Sequence, residues 1–130
     1  MDIRHEQRIR IMQVLYNQDV RHIPLEEALL VVTPNDDILT KCTDILAHQS
    51  AIDDLIHAHL TGWTLSRLNA VDRAILRLSV YELLHTDIPT PIIIDEALEL
   101  SKEYSEIDDT LSSKFNNKLL DTIHKAVRHE

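Results

Sequence analysis

Apolar residues recur along this chain mostly at steps of three and four, the period of a helix with one buried face. Ile3, Ile11, Val14 and Leu15 form the first stripe, with Arg4, Gln7 and Arg8 outside it, and predict a helix from Asp2 to about Asn17. Pro24 followed by Glu26 and Glu27 marks a second start, because proline fits a first turn and carboxylates suit the positive end of the helix dipole. That helix ends by Val32. Thr33 is the expected cap of the next one. Ile38, Cys42, Ile45, Leu46, Ile52, Leu55, Ile56 and Leu60 carry it to Leu60, as one long helix or as two in line that break near Gln49-Ser50. Gly62 is expected to close it as a left-handed cap.

The second half continues in the same mode. Leu65 to Leu68 reads as a short helical piece, and Val71 to Leu84 is apolar on more than one side, which places it in the middle of a bundle. Thr86 to Pro91 is a two-proline turn. Pro91 to Ile94 alone could be a strand, but Asp95 to Leu100 keeps the helical period, so a helix is expected from about Pro91 to Tyr104. Ser105 to Thr110 reads as an acidic loop and Leu111 to Val127 as the last helix, with Phe115, Leu119, Leu120, Ile123 and Val127 turned inward. The expectation is an all-α fold, a single domain over residues 1–130 packed as a compact bundle of six or seven helices. One glycine and four prolines in 130 residues agree, since a sheet protein of this length would use more turn formers.

The formal net charge of -9 argues against a general nucleic-acid coat, but the distribution is more informative than the sum. Residues 1–12 carry three arginines against two carboxylates, and residues 113–130 carry four basic side chains against two acidic ones. Residues 13–112 hold six basic and eighteen acidic residues. Basic ends on an acidic body permit one small polyanion site where the termini meet. Cys42 is the sole cysteine, which excludes an intrachain disulfide, and no N-terminal apolar signal or long apolar run is visible, so a soluble, cytoplasmic protein is expected. There is no glycine-rich phosphate loop, paired-cysteine motif or His-Glu-x-x-His, and no two of the eight histidines are four apart. Glu96 and Glu99 lie one turn apart without other groups converging on them. No cofactor, metal or catalytic constellation is indicated.

Arg67, Arg73 and Arg77 lie along the most hydrophobic helix. Arg73 and Arg77 are four apart and share a face. They either pair with acidic helices packed around the central one or line a binding surface, and spacing favours the first. The string Trp63-x3-Arg67-Leu68-x2-Val71-Asp72-Arg73-Ala74-Ile75-Leu76-Arg77-Leu78-x-Val80-Tyr81-Glu82-Leu83, then Asp87-Ile88-Pro89, resembles the central signature of the transcription antitermination factor NusB family. Arg8 and Gln13-Val14-Leu15-Tyr16 resemble the family's opening arginine and Q-A-L-Y helix. Residues 94–102, IDEALELSK, resemble I-N-E-A-x-E-L-A-K, and residues 114–121, KFNNKLLD, resemble K-F-V-N-G-V-L-D.

The resemblance implies a helical fold without enzymatic activity. It further implies binding of boxA-type single-stranded leader RNA together with a small-subunit ribosomal protein, NusE, within an RNA polymerase antitermination complex. Carried onto matching positions, it makes Arg4, Arg8, Gln13, Tyr16, Lys114 and Phe115 the RNA-site candidates, since single strands are held by phosphate contacts and by stacking on aromatics or arginine planes. Asp72, with Tyr16 at the border, is the candidate for the ribosomal-protein surface. Phe115 is equally a core residue and Tyr16 equally a helix anchor. Asn117-Lys118 departs from asparagine-glycine, Asp95 from asparagine, and Ile11 from a small alanine. Two other readings stay open: a domain of the type fused to ribosomal RNA methyltransferases, or a structural helical dimer that binds no RNA. On these assignments Arg8→Glu leaves the fold intact and weakens RNA binding, and Asp72→Lys weakens only ribosomal-protein binding. Leu78→Asp, by contrast, should abolish cooperative thermal unfolding, because it puts an unpaired charge into the bundle.

Overall fold

The computed structural model describes residues 3–32, 34–62, 64–105 and 111–129, apart from the side chains of Ile3 and Leu111. The expected cap Thr33, Trp63 and nearly all of the acidic loop lie outside the described residues. Within them the chain forms seven α-helices and no strand: α1 (Ile3–Arg21), α2 (Leu25–Ala28), α3 (Asp36–Ala47), α4 (Gln49–His59), α5 (Ala70–His85), α6 (Thr90–Leu100) and α7 (Leu111–Arg128). Short 3-10 turns at Leu29–Val31 and Leu65–Arg67 and a π-helical turn at Ser101–Ser105 complete the path.

Local chemistry explains where the boundaries fall. α1 runs four residues beyond Asn17, because no breaker intervenes and Asn17 donates its side-chain amide to the Gln13 carbonyl at 3.0 Å. It stops at His22, whose φ of 53° leaves the helical region. Asn35 caps α3 by accepting from the Ile38 amide at 2.8 Å, and Asn69 caps α5 by accepting from Val71 at 2.8 Å. The long third segment divides at His48, one residue before the expected break. Gly62 is left-handed (φ 76°) as expected, but α4 has already ended at His59 with Leu60 extended, so the glycine turns the following loop instead of capping the helix. The helix after Pro89 keeps α geometry only to Leu100 and then widens into the π turn, where Ser101 Oγ donates back to the Ala97 carbonyl at 2.9 Å.

α5 is the axis. It packs against α1, α3, α4, α6 and α7, and from Ala74 to Leu83 each of its residues is buried. Around it Ile11, Leu15, Ile38, Ile45, Ile52, Ile56, Ile93, Leu100 and Leu120 fill the interior. Cys42 is fully buried, and desolvation pushes its thiol up to about 12, so it is inert packing.

A helix buried this deeply needs partners for its polar groups. Arg73 donates to Asp19 of α1 at 2.9 Å and to the Leu68 carbonyl at 2.7 Å. Arg77 grips Asp53 of α4 with two bonds of 2.8 and 3.0 Å. Both arginines therefore pair with neighbouring acidic helices, the first of the two readings; Arg67 is exposed and makes no ion pair among the described residues. At the other end Arg128 of α7 donates to the carbonyls of Glu82, Leu83, Thr86 and Ile88 and to the Thr90 hydroxyl, at 2.7–3.1 Å. One guanidinium thus closes the C-terminus of α5 and the turn into α6, with its charge at the negative end of the helix dipole. Arg128→Ala should lower stability by about 2 kcal/mol, read as a reduced urea midpoint with an unchanged m-value.

Candidate nucleic-acid interface

The sequence-derived site residues fall into two groups once their burial is known. Arg4 and Lys114 are exposed, and Gln13, Tyr16 and Phe115 are half-buried, with Tyr16 and Phe115 packed against the core. Arg8 and Asp72 are inside. Arg8 is 5% exposed, and its guanidinium donates to both carboxylate oxygens of Glu82 on α5, at 2.9–3.2 Å. Burial raises the Glu82 carboxyl while the facing Arg8 opposes that shift. Arg4, Gln7 and Lys41 join this pair around a cavity of about 40 Å³, room for one or two waters and not for a nucleotide.

Asp72 is 7% exposed and makes no ion pair among the described residues. Its carboxylate accepts from Ser105 Oγ at 2.6 Å, Ser112 Oγ at 3.2 Å and Asn116 Nδ2 at 3.1 Å. In the first turn of α5 it meets the positive end of the helix dipole, which supplies the compensation that a counter-ion would. The expectation of Asp72 as a surface contact is thus corrected: it ties the start of α5 to the π turn and to the start of α7.

These bonds also show how the two basic ends are related. α1 and α7 each pack on α5 and are not major packing partners of one another. They nonetheless flank the same five residues. His5 of α1 bonds Glu103 of the π turn at 3.1 Å, while Ser112 and Asn116 of α7 bond Ser105 and Ser101 at 3.2 and 2.9 Å. This turn, where a regular helix is expected to Tyr104, is where the ends converge. It carries Tyr104, 42% exposed, and exposed Lys102.

One cation was passed over by the sequence reading. Arg10 is half-exposed and sits three residues before Gln13 on the outer row of α1, whereas Arg8 points inward. The signal was present in the stripe itself: Ile11, Val14 and Leu15 define the buried face, and Arg10 precedes it by one turn from Gln13 and Val14. On α7 Lys114 and Lys118 form an exposed row at four-residue spacing. Arg128, counted with the basic C-terminal end, is committed to backbone carbonyls.

An all-helical bundle around one buried, arginine-bearing helix is the class this geometry defines. The NusB family profile matches residues 5–125. The transcription antitermination protein NusB of Geobacillus kaustophilus is 40% identical over 130 residues, covering 96% of this chain and 98% of that protein. Among solved structures, T. maritima NusB superposes with a TM-score of 0.86 at 36% identity, covering 95% of this chain and 92% of that one. A chain from a complex of the antitermination factors NusB and NusE with double-stranded RNA superposes with a TM-score of 0.79 at 27% identity, covering 96% and 99%. The chain belongs to the NusB family. No helix among the described residues is long and apolar enough to cross a membrane.

Burial changes what two substitutions should do. Arg8→Glu would set two carboxylates against each other in the interior, costing on the order of 3–5 kcal/mol, so a large drop in melting temperature is expected where the sequence alone suggested an intact fold. Asp72→Lys should likewise destabilise, because it reverses the charge at a helix N-terminus and strands three donors. Circular-dichroism melts of both variants check this, and a wild-type melting curve for either would refute the internal role.

Proposed function

We propose that this chain is a transcription antitermination factor that binds boxA-type single-stranded leader RNA together with the ribosomal protein NusE, acting by binding and not by catalysis. The observation that carries this reading is the convergence of α1 and α7 on one turn in a chain of the NusB family. The outward cations Arg4, Arg10 and Lys114 contact phosphates, Gln13 supplies amide hydrogen bonds to bases, and the partly covered rings of Tyr16 and Phe115 offer aromatic surface for stacking. Arg8 supports the site from behind through Glu82.

The acidic body then has a use. Exposed carboxylates such as Asp54, Asp95 and Glu99 repel RNA phosphates but suit a basic ribosomal protein. With few outward cations, RNA affinity alone is low. A partner that covers carboxylates and extends the RNA-contacting surface raises it. The assembly belongs to the cytoplasmic RNA polymerase machinery.

Gel-shift titration of boxA RNA with and without NusE tests the reading: a large gain in affinity with the partner is expected, and equal affinity in both titrations would refute it. Arg10→Ala should leave circular dichroism unchanged, weaken RNA binding, and reduce the slope of log K against log salt by about 0.7, the value for one single-strand phosphate contact.

A further inference from the structure

His5 stands on α1 between two carboxylates from other parts of the fold. Its Nδ1 lies 2.6 Å from Glu96 Oε2 on α6, and its Nε2 lies 3.1 Å from Glu103 Oε1 on the π turn. A neutral imidazole has one N–H and one lone pair, so it could satisfy only one of these carboxylates and would turn its lone pair on the other. Two short contacts to two carboxylates therefore specify the imidazolium. The His5 side chain is 14% exposed, so water has little room to replace a lost bond.

We propose that doubly protonated His5 is the positioning residue that holds the Arg4-bearing first turn of α1 against Glu96 and Glu103, and so couples RNA binding at the convergent basic ends to pH. This rests on the RNA reading above. The coupling has two physical parts. Deprotonation removes one of the two bonds by which His5 holds α1 to α6 and to the turn shared with α7. It also leaves Glu96 and Glu103 without their counter-charge, beside the α1 turn that carries Arg4 and Glu6.

The surrounding charges agree with this assignment. Glu96 of α6 and Glu103 of the π turn are the groups acting on His5; they raise its basicity, the Glu96 hydrogen bond foremost, while burial opposes them. From α5 Glu82 lies close enough to Glu96 for repulsion, but its own carboxylate is held by Arg8. Glu103 and Glu6 also raise the neighbouring Tyr104 phenol, after burial. The site is thus a patch of carboxylates with one titratable cation at its centre. A histidine whose folded basicity is raised contributes fully below the unfolded value of 6.5, and the contribution is lost as pH rises through the folded value.

The test uses the whole protein with NusE present for the RNA arm. NMR titration of the imidazole nitrogens in the free protein should show His5 losing its proton above 6.5, and Glu96→Gln should lower that midpoint. In gel shifts between about pH 6 and pH 9, wild-type RNA affinity should fall severalfold, and His5→Gln should be weak and nearly flat. Glu103→Gln, which alters a carboxylate 38% exposed, guards against a folding defect: it should stay folded and move the fall in affinity to lower pH. A His5 midpoint at or below 6.5, or a His5→Gln profile that parallels wild type, overturns the proposal. The parallel profile would assign the pH dependence to the other histidines. If His5 titrates as expected but the protein with NusE binds no RNA at any pH, the RNA reading fails, and the proposed coupling fails with it, while the His5 clamp itself stands.

Discussion

Burial of α5 is the constraint on which the rest of the structure depends. A helix surrounded by five others cannot leave a charge facing hydrocarbon, since an unpaired buried ion costs several kcal/mol. The acidic and arginine side chains of α5 accordingly specify its neighbours. Asp72 fixes the π turn and α7, Arg73 fixes α1, Arg77 fixes α4, and Glu82 fixes α1 again nearer the other end of α5. The carbonyls at and beyond its C-terminus fix the end of α7 through Arg128. Apolar packing supplies the bulk of the stabilisation but tolerates small slips. These directional bonds do not, and they set the register of the helices around the axis.

That constraint separates two populations of charge which a linear count merges. The basic ends owe part of their excess to Arg8 and Arg128, and both serve the interior. What faces outward is a thinner set, Arg4, Arg10, Lys114, Lys118 and Lys125, the last paired with Asp121, on an otherwise acidic molecule. On the proposed reading, RNA binding by so thin a set would depend on a partner that masks carboxylates and on His5, which lies between two of them where α1 meets the π turn. The same bonds that order the bundle also bring α1 and α7 to one place, so fold and interface share their supports.

Much of the helical path was legible in the sequence because a one-faced apolar stripe leaves few alternatives. The central position of α5 was legible for the same reason, since its apolar residues exceed one face. Boundaries were less so. The break at His48 and the end of α4 before Gly62 follow from local hydrogen bonds that compete with helix continuation, and the π turn after Leu100 depends on serines that bond Ala97, Asp72 and Asn116. Site residues on the outer face of α1 were partly legible. The burial of Arg8 and the outward position of Arg10 were not legible as a difference in residue type, since the two differ only by their angle to the buried stripe.

The sequence by itself determined the helical class, the identity of the buried axis, the family to which the chain belongs, and the asymmetry of basic ends on an acidic body. These depend on periodicity, composition and local motifs, which are properties of neighbours in the chain. Only the tertiary structure decided that Asp72 is an internal hub, that Arg8 and Arg128 are structural, and that the basic ends flank Ser101–Ser105. It also decided that His5 lies between two carboxylates ninety-one and ninety-eight positions away. Whether a charge is a contact or a strut depends on which distant groups surround it, and that is set by packing across the bundle.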